Sequence, residues 1–268
     1  MRFGLFGTAV LAGAMLLTVD AHAQLSPEWR SCTGSPDVDW KQQIISCTAL
    51  IQSGRETTQN HGIAYHNRAV AYRNKGDYDR AIADYSEAMR LDPDHAEYYE
   101  RGFAYYLKGD YNHAIADYSE AMRLNPKLAV PVLNERGLAY LFKGDSDRAI
   151  ADLNEAIRLD PKSAFAYLNL CKVYYDMSDN DRALADCNEG IRLDPKNADA
   201  YYNRGLTLEH MGQRDQAIAD YRAAQKLDPG MTEARERLDF LAPPPNLQRF
   251  DPNFKVTKPQ LDIPTGQR

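Results

Sequence analysis

The feature that most constrains this chain is its period. Residues 77–93 read DYDRAIADYSEAMRLDP and residues 110–126 read DYNHAIADYSEAMRLNP. Aligning the chain on its Asp-Pro and Asn-Pro dipeptides places Pro93, Pro126, Pro161, Pro195 and Pro229 at steps of 33, 35, 34 and 34 residues. A sequence that returns at this interval is built from one small supersecondary unit. That unit cannot bury its apolar face alone and must stack against its neighbours. Counting back from each proline starts the five units at Gly62, His95, Val130, Ala164 and Ala198.

Within each unit small residues recur at the eighth, twentieth and twenty-seventh positions: Ala69, Ala81 and Ala88 in the first, Gly102, Ala114 and Ala121 in the second, Gly137, Ala149 and Ala156 in the third. The fourth carries Cys171, Ala183 and Gly190, the fifth Gly205, Ala217 and Ala224. Small side chains at helical spacing let two helices approach closely. Gly76, Gly109, Gly144 and Gly212 stand at the fifteenth position, where a helix ends in the left-handed conformation, and Asp77, Asp110 and Asp145 follow as caps of a second helix. Each unit therefore reads as helix, turn, helix.

With a large residue at position four (Tyr65, Tyr98, Leu133, Tyr167, Tyr201) and proline at position thirty-two, residues 62 to 231 resemble the tetratricopeptide repeat. The resemblance implies an all-α, right-handed α-solenoid of five helical hairpins whose first helices line a concave groove. It divides the array into 62–94, 95–129, 130–163, 164–197 and 198–231. Position seven, usually apolar in that family, is Arg68, Arg101, Arg136 and Arg204 here, while position twenty-three is Asp84, Asp117, Asp152, Asp186 and Asp220. The two positions face each other across a hairpin, so inter-helix ion pairs are expected in every unit but the fourth, where Leu170 replaces the arginine.

Position eight is small and position twenty-four large in four units: Ala69 with Tyr85, Gly102 with Tyr118, Gly137 with Leu153, Gly205 with Tyr221. In the fourth both change together, to Cys171 and Cys187, which reads as a disulfide across the hairpin in an oxidising compartment. Upstream, KQQIISCTAL laid over DRAIADYSEA puts Cys47 at position twenty-four again, with Cys32 fifteen residues before it. Residues 24–61 are accordingly expected to form a disulfide-stapled degenerate half-repeat, with a helix over Val38–Ser53 begun by Asp37 and ended by Gly54. Each bridge is worth about 3 kcal/mol by the loop-entropy estimate. Neither C-x-x-C nor a Cys/His cluster at ligand spacing occurs, which sets zinc aside.

The ends read differently from the array. MRFGLFGTAVLAGAMLLTVDAHA opens with one arginine, runs apolar and closes on Ala21, His22, Ala23, the order of a signal peptide over 1–23 cleaved after Ala23, and hence of a periplasmic or secreted protein. Thr232–Leu241 continues the amphipathic pattern as a capping helix within 232–242. Residues 243–268 hold six prolines in 26 positions and no helical period, the pattern of a disordered tail, and within it Phe250 and Phe254 form a short aromatic pair.

The net charge of −6 offers no electrostatic footprint for nucleic acid. No nucleophile with its base, no metal-ligand spacing and no phosphate loop is present, so the sequence points to no enzyme, cofactor or metal. What remains is the groove. The tetratricopeptide resemblance assigns it positions two, five, nine, twelve and thirteen of each unit, and its middle is then apolar and aromatic: Tyr99, Phe103, Tyr106, Leu107, Leu138, Leu141, Phe142, Phe165, Leu168, Tyr175 and Tyr202. Such a stripe needs covering by a peptide or helix of a protein partner, by the tail, or by a second copy. The expected function is a non-catalytic exported adaptor. Two alternatives stand beside it: a self-assembling structural protein, and an envelope-glycan binder stacking sugars on Tyr99, Tyr106, Tyr175 and Tyr202.

Overall fold

The computed structural model describes residues 26–34, 38–93 and 97–242. The signal peptide expected over 1–23, the tail with Phe250 and Phe254, and Asp37, His95 and Ala96 lie outside the described residues. The chain forms two compact units, Met1–Pro161 and Lys162–Arg268. Among the described residues both are all-α and no strand occurs.

In the first unit α1 (Pro27–Cys32) and α2 (Trp40–Gln52) precede three hairpins: α3 (Thr58–Lys75) with α4 (Tyr78–Leu91), α5 (Tyr98–Lys108) with α6 (Tyr111–Leu124), and α7 (Ala129–Lys143) with α8 (Ser146–Leu159). Each helix packs on the next along this order, and α5 also touches α7, so first helices of successive hairpins lie side by side. The second unit repeats the plan with α9 (Ala164–Asp176), α10 (Asn180–Leu193), α11 (Ala198–His210), α12 (Arg214–Leu227) and α13 (Thr232–Leu241). There α9 meets α11. This all-α solenoid architecture agrees with the sequence expectation.

The turn chemistry explains the hairpins. Gly76, Gly109 and Gly144 end α3, α5 and α7 at φ of 83–85°, and Asp77, Asp110 and Asp145 then accept the backbone N–H three residues on, capping the second helix. In the fourth hairpin the fifteenth position is Ser178, at φ 61°, the one non-glycine residue at positive φ among the described residues. Small residues at position eight admit the large residue opposite: a Cβ added to Gly205 would lie 2.7 Å from a Tyr221 ring carbon, and one on Gly137 would lie 2.9 Å from Leu153. Tyr85, Tyr118, Leu153 and Tyr221 are fully buried as a result.

The four arginines expected to pair across their hairpins do so, each with two parallel bonds: Arg68 to Asp84, Arg101 to Asp117, Arg136 to Asp152 and Arg204 to Asp220, all at 2.7–2.9 Å. Each guanidinium also reaches back to the preceding hairpin or helix, donating from Nη1 to Thr48, Ser86, Ser119 or Asn188. One side chain thus ties three helices together. Disulfides join Cys171 to Cys187 across α9 and α10, and Cys32 to Cys47 across α1 and α2.

The N-terminal segment corrects two sequence expectations. The helix begun by Asp37 starts instead at Trp40, with Asp39 accepting from the Gln42 amide, and it ends at Gln52 with Ser53 as its cap. A second helix, α1, precedes it, capped by Ser26. Buried Trp29 anchors α1 and donates from its indole to Glu56. At the other end α13 spans Thr232–Leu241 as expected, with buried Leu241 in one cluster with Tyr221 and Leu208.

Candidate functional site

The face formed by α3, α5 and α7 in the first unit carries the apolar residues assigned to a groove. They do not stand equally open. Tyr106 and Leu141 are each 7 % exposed and belong to the packed floor. Leu168 of the second unit is likewise 5 % exposed, its tip filling the space that a side chain at Gly190 would need. These three residues are therefore unable to offer a partner more than an edge. Burial of Tyr106 also removes one of the rings on which sugar stacking was expected.

Tyr99, Phe103, Leu107, Leu138 and Phe142 are half-buried and pack around the cluster of Tyr106, Tyr118, Val132 and Ala139. Phe103 stacks on Tyr106 at 6.2 Å, and Phe142 lies 5.7 Å from Tyr111 and 5.8 Å from Tyr106. The Tyr99 ring leans on Tyr118 at 5.8 Å. In the second unit Phe165 is 49 % exposed, Tyr175 meets His210 edge-on at 5.8 Å, and half-buried Tyr202 lies 5.7 Å from Tyr221. Aromatic rings are thus brought together mainly on α5 and α7.

The electrostatics of this face was not foreseen. Arg73 on α3 pairs with Glu100 on α5 and lies over the Phe103 ring at 5.4 Å. One hairpin further, Glu135 on α7 makes no hydrogen bond or ion pair among the described residues. Glu135 keeps some surface, but its carboxyl sits deep enough for desolvation to push it up to about 7. Burial raises the Tyr99, Tyr106 and Tyr118 phenols, and the Glu135 charge is the next largest cause on all three. The Tyr118 hydroxyl and the Asn134 Oδ1 are buried and without a hydrogen-bond partner. A signal existed in the sequence: glutamate recurs at position six of consecutive units, while position twelve of the unit before changes from Arg73 to Tyr106.

No group of three or more His, Cys, Asp or Glu side chains suited to a metal ion occurs among the described residues. No described helix is long and apolar enough to cross a membrane.

The model of the tetratricopeptide repeat matches residues 62–95, 96–128 and 198–231, and a TPR repeat model matches 137–178 and 172–212. No curated protein matches the sequence. Among solved structures, a tetratricopeptide repeat protein from Parabacteroides merdae is 23 % identical, with 75 % of this chain and 77 % of that one covered at a TM-score of 0.63. The MamA protein is 28 % identical over 66 % of this chain and 94 % of its own, at a TM-score of 0.50. The Cut9–Hcn1 hetero-tetramer of APC/C contributes a chain that is 21 % identical, matched over 76 % of this chain and 40 % of that one at 0.59.

Proposed function

Because the chain belongs to the tetratricopeptide repeat family, a family of protein-interaction scaffolds, we propose that it is a non-catalytic exported adaptor holding a peptide or helix of a protein partner against the α3–α5–α7 face. The observation that carries this reading is that Phe103, Leu107 and Leu138 are only partly buried where they pack against the core of this face. An amphipathic helix or extended segment would dock its apolar side chains against these residues.

Export is supported by the two disulfides, which persist outside the reducing cytosol. In this reading residues 1–23 are removed, 24–61 form the stapled cap, the five repeats run from 62 to 231, the last helix closes the array within 232–242, and 243–268 trail as a tail. Mass spectrometry of the chain recovered from the cell envelope checks this directly: a mature terminus at Gln24 is expected, and an intact Met1 in a reduced cytosolic pool sinks the export reading.

Selection of a displayed random-peptide library on the full chain tests the groove. Peptides bound by the wild type and lost by Phe103→Asp/Leu138→Asp, with helical circular dichroism unchanged, support it. Retention by the double variant moves binding elsewhere.

A further inference from the structure

The array contains its own control for the unpaired carboxyl. At the first junction the twelfth residue of one hairpin, Arg73, meets the sixth of the next, Glu100, and buries most of both side chains. At the last junction the polarity is reversed: Glu209, the twelfth residue, meets Arg237 on α13, in the sixth register position, at 3.3 Å. Between the second and third hairpins Glu135 keeps the acid of the pair, but Tyr106 stands where the cation belongs. The Glu135 carboxyl therefore stands without a cation, close enough for its charge to act on the buried Tyr118 hydroxyl, which itself has no hydrogen-bond partner.

We infer that the unpaired Glu135 carboxyl is a receptor for a cationic side chain, a lysine or arginine of the protein partner, which supplies from outside the charge that Arg73 gives Glu100 one hairpin earlier. This rests on the groove reading and names the partner chemistry it requires. The desolvated carboxyl needs a positive charge, and Tyr99, half-buried on α5, offers ring surface along which an alkyl stem can lie. Arg73 over Phe103 shows the same packing in its built-in form. An acidic segment is rejected by the same carboxyl.

The site can be read without a known partner. The Glu135 side-chain carboxyl carbon is followed by NMR in the full chain while n-propylguanidinium, n-butylammonium or neutral n-butanol is added. The titratable groups on which its charge acts are Tyr99 and Tyr106 on α5 and Tyr118 on α6. The three phenols are held protonated by burial. Expected is a near-neutral midpoint that both cations lower by about one pH unit or more, with butanol inert. Tyr106→Arg should abolish the response by supplying the cation internally. Should that variant fail to fold, Glu135→Gln serves in its place with the library-selected peptides. Replacing their basic residue by norleucine should weaken binding to the wild type about tenfold and leave binding to Glu135→Gln unchanged.

A carboxyl indifferent to both cations overturns the inference, as do selected peptides whose affinity ignores the norleucine exchange. In the second case the groove reading survives alone. If the cations shift Glu135 yet no peptide is selected, the protein-partner assignment falls.

Discussion

Arg136 and Asp152 illustrate how much one side chain decides. The aspartate is 9 % exposed, and its two oxygens are held by Nε and Nη2 of the arginine. Breaking such a pair strands a buried charge, so Arg136→Met is expected to cost about 3 kcal/mol in urea unfolding, with Asp152→Leu recovering most of it in the double variant. The fourth hairpin offers the contrast, since Leu170 leaves Asp186 without its arginine and desolvation pushes that carboxyl up to about 6, against a smaller opposing pull from Arg182. Asp186→Leu should therefore stabilise at neutral pH, where Asp152→Leu alone destabilises. Glu135 follows the same sign. A carboxyl raised in the folded state binds its proton there more tightly than in the unfolded chain, so its contribution is full below about pH 4.5 and lost as pH rises to about 7. Glu135→Gln is expected to raise stability by up to about 3 kcal/mol at pH 8 and to change little at pH 4, read from denaturation midpoints. The arginine–aspartate ladder was legible in the sequence because both residues recur in phase within one hairpin. The third arm of each arginine, onto Ser86 or Ser119, was not, because it crosses to the hairpin before.

At the scale of the helix pair, glycine does two unlike things. Gly205 is needed for approach: a Cβ there meets the Tyr221 ring at 2.7 Å, so Gly205→Ala should cost about 1–3 kcal/mol despite the better helix propensity of alanine. Gly62 is also buried in a helix, but its nearest neighbours would be 3.8 Å away, and Gly62→Ala should gain up to about 1 kcal/mol. Thermal melts of the two variants moving in the same direction would contradict this account. Ser178 holds the turn conformation that glycine supplies in the other hairpins, at φ 61°. Ser178→Gly is expected to stabilise by about 0.5–1 kcal/mol. The small-against-large rule at positions eight and twenty-four was readable from the paired exchange alone. Helix α1 was not, since six residues show no period and their place is fixed by Trp29, Cys32 and the Glu56 acceptor.

At the scale of the whole molecule, each helix answers chiefly to its neighbours, so damage should stay local. Changing Cys32 and Cys47 to serine is expected to leave hydrogen exchange in α5–α8 unchanged while α1 exchanges freely, because so short a helix lacks a stable form of its own. Loss of protection throughout both units would refute that locality. The sequence by itself determined the period, and with it the hairpins, their turns, their caps and the stacking that buries what one hairpin exposes, since all of these depend on residues a fixed short distance apart. Only the tertiary structure decided which nominal groove positions stay open. Tyr106 and Leu141 fill the floor while Phe103 and Leu138 keep an exposed edge, and Glu135 ends beside a tyrosine rather than an arginine. Those outcomes depend on how one hairpin's side chains fit against the next, and no repeat contains that information alone.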